Sequence, residues 1–523
     1  MNPWVQLRQI GLQRRHQLTS ATAGDVHARQ QRWLLDCLQR NRHSSFGRRY
    51  QFEGITSAVD FQQRVPLQHY EQLTESINAM ASGEENVLFA GKPLAFERTS
   101  GSSGASKLIP YSSYSLSDFQ SALLPWLTDV IDNHALDLGK AYWAISPVTR
   151  ASQFTESGIP VGISDAEYLG EGAIDPFCAL SAVPFWVAGL SDVDDWKTAT
   201  LYHLLRAPDL VLVSVWSPTF LQLILDGFGE HYARLVALLS CGGTLAGQVL
   251  PADAAALSRL QDYTVQGERG DCSVLWPKLR LVSCWGDASS EPYFRELARQ
   301  CPQAVFQRKG LLATEGVVTV PDSQGDARLC LNSGFYEFLD RGGNSLLAEE
   351  LRAGDSYQLV ITTAGGLYRY STGDQVECTE EADNEQAPAL RFLGRAGVSS
   401  DLVGEKLTDS FVSQCLSAVT GFGMLVPAPR QATRPTYLLL LGDEVTDDAG
   451  AIAERVEQLL KENPHYAYAR RIGQLGALEV RHVSSPLERY MSWAQRCNTR
   501  LGDIKPSSLR TEPEFALHMG VRL

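Results

Sequence analysis

Apolar residues recur at helical spacing from the start of the chain. Between Gln30 and Asn41, Trp33, Leu34, Cys37 and Leu38 fall on one face of a 3.6-residue period, and residues 1–80 read as helical throughout. The period changes at Leu210. There the run LVLVSVW is continuously apolar and β-rich, then meets Ser217-Pro218 and the helical pattern FLQLILDGF. A buried strand that turns into a helix is the repeating unit of an α/β fold. LRLVSCW (279–285), YQLVITT (357–363) and YLLLLGD (437–443) predict further strands. After the last of these comes a helix over 449–463, with Ile452, Val456, Leu459 and Leu460 as its stripe and Asn463-Pro464 as its stop. A strand in LGALEVRHV and a helix over 486–500 follow, so the C-terminal stretch predicts a compact α/β unit of its own.

At 523 residues the chain exceeds what one hydrophobic core supports. We expect a large N-terminal domain of packed sheets and helices over 1–394 and a smaller, mobile α/β domain over 395–523. The boundary falls in Gly394-Arg395-Ala396-Gly397, just after the strand-like LRFL.

Charge narrows the partners. Forty-six basic against sixty acidic residues leave a net charge of −14, which disfavours nucleic acid or an anionic membrane as a standing partner. No run of eighteen apolar residues predicts a membrane span, and MNPWVQLRQIGLQRRHQ lacks a signal-peptide core, so a cytoplasmic location is expected. The ten cysteines form no Cys-x-x-Cys pair and no zinc-ligand spacing with histidine, and they read as reduced, incidental thiols. No histidine stands beside a serine or cysteine in a nucleophile pattern.

The segment richest in chemistry is TSGSSGASK, residues 99–107. Its glycines let backbone N–H groups turn toward an oxyanion, its hydroxyls add donors and Lys107 adds a point charge. It is not a Walker A loop, because Ser106 stands where Gly-Lys would need glycine, and Gly101-Ser102-Ser103-Gly104 is one residue short of a nucleophile elbow. Taken alone, a Gly/Ser surface loop explains it as well as a phosphate site does.

Three more segments lie downstream: LLATEG (311–316), GLYRYSTGD (366–374) and GRAGVSSDLVGEKL (394–407). In this order the four resemble the motifs of the adenylate-forming superfamily. The spelling of TSGSSGASK, KGLLATEGVV, GGLYRYSTGD and RFLGRAGVSSDLVGEKL is more particular, and resembles the Gretchen Hagen family of acyl acid–amido synthetases from about Phe96 to Arg510. Ser103, Ser106 and Thr314 depart from the spelling of the family's plant members, which leaves the substrate open.

The resemblance implies an enzyme that uses ATP and Mg²⁺ to turn a carboxylic acid into its acyl-adenylate, then transfers the acyl group to an amine. It implies that Ser100, Gly101, Ser102, Ser103 and Lys107 hold the phosphates, Thr314 the α-phosphate and Glu315 the metal. Tyr368, Asp374 and Arg395 would bind the nucleotide, with Asp374 on the ribose hydroxyls. Gly397 would serve the hinge, and Lys505 in LGDIKPSSLR would swing over the reacting carboxylate as a monomeric enzyme closes. Trp216 and Trp285, at the ends of two predicted strands, are candidates for the acid pocket, although aromatics at such places are commonly core. A thioester ligase acting on coenzyme A or a carrier protein is the alternative, followed by a non-catalytic nucleotide-binding protein on the same fold.

Overall fold

The structure is a computed structural model that describes residues 2–521 apart from 22–24, 100–106, 145–152, 164, 265–270, 384–385, 396–398, 404, 418, 430–434, 444, 446–447 and 498–503. Helices dominate the N-terminal layer, as the pattern predicts: Pro3–Ala21, Val26–Asn41, Ala58–Arg64 and Tyr70–Ala81. The Val26–Asn41 helix starts where the Asp25 carboxylate accepts the Ala28 N–H, and it buries Leu34, Cys37 and Leu38.

Two sheets frame the middle of the chain. A four-stranded parallel sheet runs Val305–Arg308, Leu281–Cys284, Leu210–Ser214, Lys140–Trp143 across its width. Its two central strands are buried at every position, because both faces of a parallel sheet are covered, and hence they read as unbroken apolar runs. Its 140–143 edge adjoins the Ser113–Asn133 helix, which is clamped to Pro3–Ala21 by Arg8–Asp132 (2.5 Å) and Arg15–Asp129 (2.7 Å).

The second sheet is antiparallel and seven-stranded. Its order is Thr319–Pro321, Ala327–Leu329, Ala389–Arg395, Tyr370–Glu380, Ser356–Thr362, Phe335–Leu339, Ser345–Leu347. A buried ion pair ties it to the helical layer. Arg369 donates from Nε and Nη2 to the Glu337 carboxylate at 2.9–3.1 Å, and from Nη1 to the carbonyls of Gln62 (2.7 Å) and Val65 (2.8 Å). Arg369 holds φ at 47°, an unfavourable value for a side chain of its size, and its own N–H is fixed by Thr362 Oγ1 at 2.9 Å.

The C-terminal stretch forms a three-stranded sheet, Gly423–Pro427, Tyr437–Gly442, Glu479–Val483, with helices on both faces. Alternation along Tyr437–Gly442 sends Leu439 and Leu441 into one core and Leu438 and Leu440 into another. The helix predicted over 449–463 ends at Leu460, and Asn463-Pro464 does more than stop it. The Asn463 side chain accepts the N–H groups of His465 and Tyr466, and Pro464 opens a new helix, Pro464–Arg471. One cysteine expectation fails: Cys272 and Cys301 meet as a disulfide. They are 29 residues apart in sequence, and only the fold brings their Cα atoms to 4.9 Å. Among the described residues no helix is long and apolar enough to cross a membrane.

Replacing Arg369 with Met strands the Glu337 carboxylate in the core. Chemical denaturation should show a loss of about 3–5 kcal/mol, partly recovered in the Arg369→Met/Glu337→Met double variant. A second prediction concerns pH. Burial pushes the Asp118 carboxyl up to about 7, against the opposing pull of the Trp33 indole N–H and the charges of Arg40 and Arg14. The folded state therefore keeps a proton that the unfolded chain releases near pH 4, and this contribution to stability drains away between about pH 4 and the folded value of about 7. The melting temperature of Asp118→Asn should rise relative to wild type across that interval and level off above it.

Candidate active site

The carboxyl ends of the parallel strands all open on one cavity of about 460 Å³, the place where α/β sheets bind ligands. Each strand delivers a side chain there: Trp143 from the first, Ser214 and Trp216 from the second, Trp285 from the third, and Lys309 to Glu315 from the last. Glycine is required between Lys309 and Leu311, since a Cβ at Gly310 would lie 2.0 Å from the Thr319 carbonyl oxygen. The seven-stranded sheet contributes Asp374, Phe392 and Arg395, and the C-terminal stretch contributes Lys505.

One half of this cavity is charged. Asp374 and Arg395 face each other across neighbouring strands, and Arg395 Nε donates to Asp374 Oδ1 at 2.8 Å. Asp374 is only 2% exposed. The Asp374 carboxylate, and behind it Glu315, raise the Arg395 guanidinium above its ordinary range. Burial pushes the Glu315 carboxyl up, and the Asp374 charge adds to this, while Arg395 and Lys107 pull it back. Lys107 Nζ donates to the Tyr370 hydroxyl at 3.4 Å and lies over the Tyr70 ring at 5.2 Å. The Tyr111 hydroxyl donates to the Thr314 carbonyl, which fixes the turn carrying Glu315. Asp374 and Arg395, read from two separate motifs, thus meet directly, and their charges together with that of Lys107, from a third, bear on Glu315, from a fourth.

Lys505 arrives from the far end of the chain with its ammonium 4.4 Å over the Trp285 ring. Two hydrogen bonds seat it: the Tyr490 hydroxyl donates to the Lys505 carbonyl (2.9 Å), and Ser289 Oγ donates to the Pro506 carbonyl (2.6 Å). Trp216 and Trp285 both line the cavity. Phe119, Trp126, Trp143, Tyr168 and Phe177 complete an aromatic half that the sequence did not single out.

One expectation is corrected. Tyr368 is fully buried, stacks on Phe46 at 4.8 Å and donates its hydroxyl to the Leu88 carbonyl at 2.9 Å, so it is core and has no place at the nucleotide. The left-handed turn of the chain at Arg369 separates it from Tyr370, whose hydroxyl faces Lys107 instead. Ser100, Gly101, Ser102, Ser103 and Gly397 lie outside the described residues. Among the described residues no group of three or more His, Cys, Asp or Glu side chains could hold a metal ion.

Known proteins align with this geometry. The chain matches the GH3 family N-terminal domain over residues 14–305 and the GH3 family central domain over 327–395. It is 26% identical over 456 residues to a probable indole-3-acetic acid-amido synthetase GH3.1 of Oryza sativa subsp. japonica, covering 77% of this chain and 72% of that protein. It is 22% identical over 511 residues to the jasmonoyl–L-amino acid synthetase JAR6 of Nicotiana attenuata, covering 87% of this chain and 86% of that one. In three dimensions it superposes on the AtGH3.15 acyl acid amido synthetase in complex with 2,4-DB with a TM-score of 0.83 at 18% identity, over 96% of this chain and 95% of the other. The fold extends to a 2-hydroxyisobutyryl-CoA ligase, with a TM-score of 0.54 at 13% identity over 95% and 90% of the two chains. The family domains span well over half of the chain, and with them the motif spelling and the fold agree: this protein belongs to the GH3 family.

Proposed function

We propose that the protein is an AMP-forming ligase that activates a carboxylic acid as its acyl-adenylate and transfers the acyl group to an amine, giving an amide. The observation that carries this reading is the division of a single cavity into a half lined by Glu315, Asp374 and Arg395, with the Lys107 charge acting on Glu315, and a half walled by aromatic rings, with Lys505 entering between them over Trp285. The first half suits a nucleotide triphosphate and the second an acyl group.

Adenylation joins two anions, the carboxylate and the α-phosphate, and expels pyrophosphate. It therefore needs positioning and charge neutralisation more than proton transfer. Lys107, steadied by Tyr370, would meet the β- and γ-phosphates together with the hydroxyls of Ser100, Ser102 and Ser103. Asp374 would accept the ribose hydroxyls with Arg395 beside it, and Thr314 would donate to the α-phosphate. Glu315 fits Mg²⁺, since a buried carboxyl beside a second acid gains from a hard cation, which would also draw charge from the phosphates. Lys505 would neutralise the charge that builds where carboxylate and phosphorus meet.

The second half-reaction needs an opening for the amine. We place the hinge at 394–397, between an N-terminal domain (1–394) and a C-terminal domain (395–523). Gly394, with φ of 146°, supports this, because a Cβ there would lie 2.7 Å from the Ser410 Cβ. The polar contacts that cross the hinge include the Arg395–Asp374 pair at 2.8 Å, Ser289 Oγ donating to the Pro506 carbonyl at 2.6 Å and Ser410 Oγ donating to Gln375 Oε1 at 3.2 Å, all of which a rotation would have to exchange. In this reading the enzyme works as a cytoplasmic monomer on two small molecules.

Pyrophosphate release, measured with ATP, Mg²⁺ and a panel of carboxylic acids, with and without amino acids or coenzyme A, tests the reaction. Acid-dependent release that an amine stimulates is the expected result. Stimulation by coenzyme A alone would replace the amide synthetase with a thioester ligase, and ATP binding without release for any acid would leave a non-catalytic protein. Lys505→Ala should slow acid-dependent release by about 10²–10³ with ATP affinity unchanged. An unaltered rate would remove Lys505 from the mechanism.

A further inference from the structure

Lys309 is a cation in the aromatic half of the cavity. It follows the edge strand Val305–Arg308, its N–H donates to the Cys284 carbonyl at 2.9 Å, and its side chain is 8% exposed. The ammonium donates to Ser214 Oγ at 2.8 Å and sits between two indoles, 5.2 Å from the Trp126 ring and 5.3 Å from the Trp216 ring. The Trp126 ring is itself held by its N–H, which donates to Gln307 Oε1 at 3.2 Å. These partners belong to the parallel sheet and the Ser113–Asn133 helix, whereas Lys107 and Arg395 find theirs on the seven-stranded sheet. A second donor borders the same half: the Trp143 indole N–H is buried with no acceptor among the described residues.

From this arrangement we infer that Lys309, helped by Ser214, recognises a second oxygen-bearing group on the acid substrate, remote from the carboxyl that is adenylated. The inference rests on the ligase reading above and names its substrate class: a ring-bearing carboxylic acid whose far end carries a carboxylate or hydroxyl. In a cavity walled by Phe119, Trp143 and Phe177, an oxygen acceptor gains a charge-assisted hydrogen bond from a positioned ammonium, which an apolar isostere cannot accept. The two tryptophan faces stabilise the ammonium by cation–π attraction and hold its direction, so the donor is in place before the ligand arrives.

The test compares three ring acids that differ only in the group para to the carboxyl-bearing chain: carboxylate, hydroxyl or methyl. ATP–pyrophosphate exchange is measured for each on the full-length wild type, Lys309→Met and Ser214→Ala. Wild type should favour the two oxygen-bearing acids over the methyl acid by about 10²-fold in kcat/KM. Lys309→Met should reduce that preference to a few-fold at most, with the KM for ATP unchanged, and Ser214→Ala should shift it part of the way. Equal use of all three acids by wild type overturns the inference. So does a uniform loss across the three acids in Lys309→Met, or a raised KM for ATP, because either assigns Lys309 to folding or to the nucleotide. Calorimetric binding of the same acids is measured in parallel. Binding with the expected preference but without exchange would sink the ligase reading and keep the Lys309 contact, whereas exchange without preference would do the reverse.

Discussion

Arg369 and Glu337 form the contact on which the geometry of the charged half depends. A guanidinium that satisfies one carboxylate and two backbone carbonyls at once can be seated in only one way. Its carbonyl partners, Gln62 and Val65, lie at the end of the Ala58–Arg64 helix, so this one side chain ties that helix to the strand Phe335–Leu339 by several bonds at once. The Glu337 carboxylate is further held by Gln62 Nε2 (3.0 Å) and Ser345 Oγ (2.7 Å), which leaves little room for the pair to shift. The strain of a left-handed arginine persists because every group around it is already committed. One residue later the chain enters the strand that carries Tyr370 to Lys107 and Asp374 to the cavity, so their placement follows from this pair.

A chain of net charge −14 can serve polyanionic ligands only by concentrating its cations. Arg395 and Lys505 reach the cavity from the seven-stranded sheet and the last part of the chain, and Lys107 acts on Glu315 from just before the strand Leu108–Tyr111, while Glu315 and Asp374 offset part of that positive charge. The Asp374–Arg395 pair shows the balance: opposite charges meet at 2.8 Å and stay oriented across adjoining strands.

Much of this was legible in the sequence, and what was not has physical reasons. The central parallel strands announced themselves because burial on both faces demands continuous apolar runs, as in LVLVS and LVSC. Lys107, Glu315, Asp374 and Arg395 stood in motifs whose glycines and hydroxyls mark unusual backbone. Most of the seven-stranded sheet did not show itself, since its short strands are defined by pairings such as Arg328 with Ala389, which no local pattern encodes. Tyr368 and Tyr370 are two letters apart in one motif, and only the turn at Arg369 decides which is core and which faces the site. Lys309 carried no signal beyond its place before Gly310, because its setting between Trp126 and Trp216 comes from residues far away in sequence.

The seat of Lys505 over the Trp285 ring has an optical consequence. Indole emission responds to a charge held against the ring face, and this ammonium stands 4.4 Å from it. Any displacement of the C-terminal stretch that carries Lys505 off would change the field at one of the chain's ten tryptophans. The fold thus contains its own chromophore where the C-terminal stretch meets the parallel sheet, and the light it emits is coupled to where the last lysine stands.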